Sequence, residues 1–375
     1  MFNVRSILET RQDDALKRII TTLKLTVLAS AVRWGDALVN CLGQHAPPRT
    51  ETATSIASQK DGRAWPVLGD VPCVTILLCC YNGARFLSAQ LASIKQQSHR
   101  NWHLVVSDDG STDATLNILE NFARCVPQKV ELRAGPRCGP CANFLSLATD
   151  PSIAGDYYAF CDQDDIWHRD KLKHAVGWLQ SGPQSVSAVY CTRTRLMGEA
   201  GRAQGYSPLF SKQPSFANAL VQSIAGANTM VFNHATKYLL EKAGPVDVVS
   251  HDWWTYQLIS GAGGVVHYEK MPHLDYRQHS ANQIGCNTGL RARWRRIRKV
   301  FGGGFARWNH INLRALDQCR HLLTSDSRSL LDTYHLMRSS NSLCVRLKTL
   351  FKSGIRRQTL GGNIGILTAV ALKKL

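Results

Sequence analysis

"VTILLCCYNGARFLSAQLASIKQQ", residues 74–97, decides the fold. Its first seven residues carry no charge and are apolar or β-prone at nearly every position, not at alternate ones. Such a run reads as a strand buried on both faces, and Asn82-Gly83 ends it with a turn. Beyond the turn, Leu87, Leu91 and Ile94 recur at i, i+4 and i+7, one face of a helix. A doubly buried strand leading into an amphipathic helix predicts a parallel sheet with helices on both faces.

The pattern repeats downstream. "HLVVSDDGSTD" (103–113) predicts a short strand, an acidic loop and a helix cap at Ser111 or Thr112. Leu116, Leu119 and Ala123 are expected on that helix's inner face. A strand near Val130–Leu132, a helix from about Ala142 and a strand at Tyr157–Cys161 follow, then helix "RDKLKHAVGWL" and strand "SVSAVYC". Past residue 192 the pattern is less regular. "GANTMVF" and "GGVVHYE" read as strands, and "SHDWWTYQLI" as a helix. In open parallel sheets ligands bind beyond the carboxyl ends of the strands. Tyr81-Asn82, Asp108-Asp109 and Asp162–Asp165 all fall at such ends, so three polar loops should converge on one crevice.

Four segments are expected: an extension and linker at 1–70, a regular α/β half at 71–190, a less regular half at 191–289 and a basic helical module at 290–375. The extension should hold one helix, Asp14 to Leu42, before a polar linker. Of the formal charge of +18, the last segment supplies nearly all, with eighteen Lys and Arg against three acids. Such a patch suits an anionic partner. The twelve cysteines have no repeating frame and several lie in apolar runs, as reduced buried thiols do. Cys138-Gly-Pro-Cys141 matches a dithiol motif but falls in a Gly/Pro loop. No apolar run reaches the ~18–20 residues of a membrane span. "LTVLASAV" (25–32) has the length of a signal core but follows acidic residues, which favours an amphipathic helix.

"YYAFCDQDDIWHRDKL" (157–172) sets three aspartates behind an apolar strand. Unrelieved, that clustering is costly. Asp162 and Asp164, two apart, project the same way. Two hard oxygen ligands suit Mg2+ or Mn2+, an ion that takes the rest of its shell from water and substrate phosphates. A diphosphate-bearing substrate is therefore expected, while Asp165 and Asp170 are expected to organise the turn and cap the next helix. A solvated acidic turn is the plain alternative.

Together with "LVVSDDGSTDATLNIL" and "SHDWWTYQLI", these stretches resemble family 2 glycosyltransferases of GT-A fold, in particular bacterial rhamnosyl- and galactosyltransferase-like members that build cell-surface polysaccharide. The likeness spans about residues 72–285 and implies that 71–190 is the nucleotide-sugar-binding half and 191–289 the acceptor-binding half with the catalytic base. It implies a Rossmann-like, mainly parallel α/β sheet with helical N- and C-terminal extensions. It implies that Cys80, Tyr81 and Asn82 border the nucleotide base, that Asp109 reads the base with Asp108 beside it, and that Gly139 and Asn143 pass near the nucleotide. Asp162 and Asp164 match the Asp-x-Asp motif, and His279 the histidine that completes the metal shell. A structural histidine is the alternative there. Asp252 matches the catalytic base of inverting members, which need one carboxylate to take the acceptor's proton. Helix capping is its alternative. Trp253 and Trp254 would offer faces for sugar stacking, and Arg277 would neutralise diphosphate or form an ion pair.

The expected donor is a dTDP- or UDP-sugar, and the acceptor a glycan or polyprenyl-diphosphate-linked glycan. The basic helix "RARWRRIRKVF" and apolar tail "GILTAVAL" imply contact with an anionic membrane, and so a cytoplasmic enzyme peripheral to the inner face of the plasma membrane, although a solvated basic face is the alternative. A nucleic-acid binder would interleave aromatic and basic residues across a sheet or carry a helix-turn-helix, and neither is found. A nucleotidyltransferase would want a basic Gly-rich loop where this chain has "CYNGARF".

Overall fold

Strand β1 is Val74–Cys80, and the helix after it, α1, is Ala84–Lys95. The computed structural model describes residues 71–279 and 304–375. The expected N-terminal helix and linker and the arginine-rich "RARWRRIRKVF" lie outside the described residues. Strand–helix alternation continues through β2 (Trp102–Asp108), α2 (Thr115–Arg124), β3 (Val130–Ala134), α3 (Pro140–Ala148) and β4 (Tyr157–Cys161). Then come β5 (Ile166–Trp167), α4 (Lys171–Gln180), β6 (Ala188–Thr192), β7 (Arg195–Gly198) and β8 (Ala203–Tyr206). The short α5 (Phe216–Ala219), β9 (Val231–Asn233), α6 (His234–Ala243) and α7 (His251–Gly261) follow, with β10 (Val265–Glu269) and β11 (Leu274–Gln278). The described C-terminal helices are α8 (Gly304–Gln318), α9 (Ser325–Ser339), α10 (Leu343–Ser353) and α11 (Leu360–Ala371).

Seven strands form the main sheet in the order β10-β6-β9-β4-β1-β2-β3. All its pairings are parallel except those of β9, which is antiparallel to both β4 and β6. Strand β1 lies centrally, Cys80 beside Asp108 and Leu78 beside Cys161, so the chain leaves β1, β2 and β4 at one edge. Four shorter strands form a second sheet, β5-β11-β7-β8. The boundary expected at 190/191 divides one sheet, since β9 sits between β4 and β6.

Alternation along β1 explains its unbroken apolar run. Ile76, Leu78 and Cys80 join a core with Leu87, Leu91 and Ile94 of α1 and Leu172 and Val176 of α4. Leu77 and Cys79 face the other way, into a core with Phe144 of α3, Trp254 and Leu258 of α7, and the C-terminal helices. Each such leucine contributes roughly 1.5–3 kcal/mol by burial.

Three expectations need correction. Leu116 is exposed, and of the three apolar positions only Leu119 is fully enclosed, since α2 packs near β3, the edge strand of the sheet. In "GANTMVF" only the end is strand; Ala227–Thr229 is a 3-10 turn whose polar side chains are buried. The tail "GILTAVAL" is not a surface element, since Ile366, Ala369 and Val370 are buried in the second core. The second sheet went unseen because strands of two to five residues are too short to show a period.

Candidate active site

The loops after β1, β2 and β4 are tied to one another by side chains. Asn82, at φ +47°, accepts the Thr112 amide at 2.8 Å through Oδ1 and donates its own amide to Ser111 Oγ at 2.8 Å. Asparagine tolerates that left-handed backbone better than most residues. Gln163, between Asp162 and Asp164, pairs both ways with Tyr81: it accepts the Tyr81 amide at 2.9 Å and donates to the Tyr81 carbonyl at 3.0 Å. Any Cβ at Gly83 would run into that Gln163 amide, which explains the glycine. The Tyr81 ring is 58% exposed and free to stack.

The second acidic loop divides its work. Asp108 closes its own turn by accepting the Ser111 amide at 2.8 Å. Asp109 reaches across to the loop before α3, accepting the amides of Arg137 at 2.6 Å and Gly139 at 2.9 Å. Gly139, at φ +88°, is the N-cap of α3, so the Cys138–Cys141 motif opens a helix, not merely a loop. Both thiols are free. Burial and the nearby Asp252 and Asp247 push the Cys141 thiol up to about 12, the opposite of a reactive dithiol.

At the end of β4 the carboxylates gather. Burial, then the charges of Asp164 and Asp252, push the Asp162 carboxyl up to about 7. Asp252, in the first turn of α7 and ninety residues downstream, lies near enough for its charge to contribute to that shift. Its Oδ1 accepts the Trp253 amide at 2.7 Å, and burial raises its own carboxyl above the usual range. His279, just past the end of β11, meets Asp164 Nε2 to Oδ2 at 2.6 Å. Among the described residues no group of three or more His, Cys, Asp or Glu has metal-ligand geometry. A hard divalent ion needs fewer: one or two carboxylates suffice when phosphate and water complete its shell. The paired Asp164 and His279, with an Asp162 whose ionisation is disfavoured until a cation arrives, fit such an ion.

Residues 75–237 match the profile of glycosyl transferase family 2. The chain carries a family 2 glycosyltransferase domain. The chain is 29% identical to the dTDP-rhamnosyl transferase RfbG of Shigella flexneri over 230 residues, 59% of this chain and 78% of that protein. It is 34% identical to the glycosyltransferase EpsE of Bacillus subtilis over 113 residues, 29% of this chain but only 39% of EpsE. Among solved structures, a mannosyltransferase from Pyrobaculum calidifontis, in complex with GDP-Man and Mn2+, aligns at 19% identity and TM-score 0.45 over 96% of this chain and 98% of its own. TarS of S. aureus with UDP-GlcNAc aligns at 14% and TM-score 0.47, over 80% and 88%.

Several expected site residues in this glycosyltransferase support the site from behind. Cys80 is buried and its carbonyl accepts the Asp109 amide at 2.8 Å. Asn143 is buried, its amide donating to the Ser107 carbonyl at 3.1 Å, so it fixes the α3 start to β2. Trp253 and Trp254 are core residues, the former donating Nε1 to the Ala219 carbonyl at 2.6 Å; neither ring is open to a sugar. Arg277 is 6% exposed, donates to the carbonyls of Asp164 at 2.9 Å and Glu199 at 3.0 Å, and lies over Phe86. It fastens the Asp-x-Asp loop and is not presented to a diphosphate. Asp170 occupies the N-cap of α4 but makes no side-chain cap bond.

The network that sequence reasoning missed centres on Asp165. Fully buried, it accepts the Arg277 amide at 3.1 Å and the Asn228 side-chain amide at 2.5 Å. Lys171, also fully buried, donates to the Asn228 carbonyl at 2.7 Å over the face of Trp167. Burial drives both charged groups toward neutrality, Asp165 upward and Lys171 down to about 7. The available signal was the third aspartate of "DQDD", too many carboxylates for one ion. Its partners lie 63 and 112 positions away.

Proposed function

We propose that this glycosyltransferase moves a sugar, with inversion, from a nucleoside-diphosphate donor to a glycan or lipid-linked glycan acceptor in cell-surface polysaccharide synthesis, O-antigen among them. The observation that carries the reading is the proximity of Asp252 to the Asp162–Gln163–Asp164 loop, where its charge is among those that raise the Asp162 carboxyl. Asp252 takes the acceptor hydroxyl's proton as the oxygen attacks the anomeric carbon, and the bond from that carbon to the diphosphate oxygen breaks behind it. A carboxylate made more basic by burial is suited to that proton. Asp162, Asp164 and His279 would hold Mg2+ or Mn2+, which stabilises the departing diphosphate's charge. Tyr81 stacks on the base, and Asp109, with the 137–139 backbone it holds, borders the base edge.

The likeness to RfbG, named a dTDP-rhamnosyl transferase, favours a dTDP-activated deoxyhexose, with UDP-galactose as the next choice. A lipid-linked acceptor and the basic C-terminus support a cytoplasmic enzyme at the inner face of the plasma membrane. The test is a donor panel with Mn2+: released nucleoside diphosphate identifies the nucleotide, and product mass the sugar. Inactivity with every common donor would overturn this function.

A further inference from the structure

From Thr333 to the C-terminus there is no acidic residue, against eight Lys and Arg. The structure sorts six of them. Arg346 is buried and donates to the carbonyls of Val370 at 2.9 Å and Ala371 at 3.0 Å. Arg338 donates to Leu375 and Ala306, and Arg357 lies over Phe305. Those are internal fasteners. Lys348, Lys352 and Arg356 are exposed instead. The Arg346 bonds join the start of α10 to the end of α11, so the two helices run antiparallel, and the end of α10 shares a tip with the start of α11. That tip carries large apolar side chains in water: Phe351 is 75% exposed, Leu360 69% and Ile364 43%. On α10, Lys348, Phe351 and Lys352 follow one outward arc, while Leu350 points to the core. On α11, Leu360 and Ile364 share a face.

The tip is rigidly held. Gln358, in the turn between the helices, accepts the Lys212 amide at 3.0 Å and donates to its carbonyl at 2.9 Å. Asn218 donates to the Arg356 carbonyl at 2.8 Å. The same Asn218, on α5, accepts Tyr256 Oη of α7 at 3.0 Å, and Ala219 holds Trp253, the neighbour of Asp252. The tip and the helix carrying Asp252 thus share one support.

We propose that the α10–α11 tip is the surface by which the enzyme docks on an anionic membrane, with Phe351, Leu360 and Ile364 entering the headgroup boundary and Lys348, Lys352 and Arg356 facing lipid phosphate. Exposed apolar side chains beside exposed cations, on a stretch with no acid from Thr333 onward, fit that surface chemistry. The inference deepens the membrane location proposed above. It moves the contact from the buried tail to the tip and fixes the acceptor half relative to the lipid.

Full-length protein is sedimented with phosphatidylcholine vesicles, with and without phosphatidylglycerol. Turnover of nucleotide sugar with Mn2+ is measured separately without vesicles. Wild type should bind only the anionic vesicles. The triple variant F351S/L360S/I364S and the double variant K348E/K352E should each bind about tenfold or more weakly, with vesicle-free turnover unchanged. Failure of wild type to bind, undiminished binding by both variants, or wild-type self-association abolished by the triple variant without vesicle binding, would each overturn the proposal. Wild-type binding without turnover on any donor would instead count against the proposed function and leave the docking surface standing.

Discussion

His279 Nε2 and Asp164 Oδ2 lie 2.6 Å apart, although 115 positions separate them in the chain. The link depends on β11, whose antiparallel pairing with β5 brings Asp275 beside Ile166, directly after the Asp-x-Asp loop. If this pair receives the divalent ion, Mn2+ with a nucleoside diphosphate should raise the wild-type melting temperature. His279→Ala and Asp164→Asn should lose that rise, with turnover down by about 100-fold or more. An equal rise in both variants would place the ion elsewhere.

Asp252→Asn preserves shape and the backbone contact but cannot accept a proton. Donor binding, followed by titration with nucleotide sugar, should stay within about twofold of wild type, whereas transfer should fall by roughly 100- to 10,000-fold. Normal turnover in this variant would remove Asp252 from the base role.

Gly83 and Gln163 are coupled by contact. Gly83→Ala should evict the Gln163 amide from Tyr81, at about 1–2 kcal/mol, and raise KM for donor more than it lowers kcat. The pair should be non-additive: G83A/Q163A should be little worse than Q163A alone. Strict additivity in urea unfolding and in KM would show that the two do not meet.

The buried histidines should make mild acid destabilising. Burial holds His251 down at about 3 and, with His174 next in effect, His273 at about 4. Unfolded histidines titrate near 6.5, so between that value and about 4 the unfolded chain binds more protons and stability falls as pH falls. Asp275, lowered to about 2 chiefly by its bonds to His168 and Arg195 against the opposing effect of burial, loses its own contribution only further down. The Asp162 carboxyl, raised to about 7, has the opposite sign over this window, so the histidine effect is read as a difference: the melting temperature of His273→Phe relative to wild type should rise from pH 6.5 to 4.5. An unchanged difference across that window would refute the assignment.

Asp165 shows why the site was only partly visible beforehand. Its carboxylate stood out in "DQDD", yet its role depends on Asn228 and the Arg277 amide, brought in by a 3-10 turn and a strand with no sequence period. Arg277, Trp253 and Trp254 were misplaced for a related reason. Residue type gives an inventory of possible contacts, but burial decides which are used, and these three are spent inside.

The sequence by itself determined the parallel sheet, because a strand buried on both faces must be apolar throughout, and local helix periodicity fixes what covers it. It also determined the acidic loops at the strand ends, since a carboxylate cluster behind a buried strand is too costly without a purpose. Only the tertiary structure decided that His279 meets Asp164, that Asp252 acts on Asp162, and that the apolar C-terminal tail is core while Phe351 and Leu360 stand in water. Those outcomes depend on packing between segments distant in the chain, where a side chain's chemistry is set by its neighbours in space.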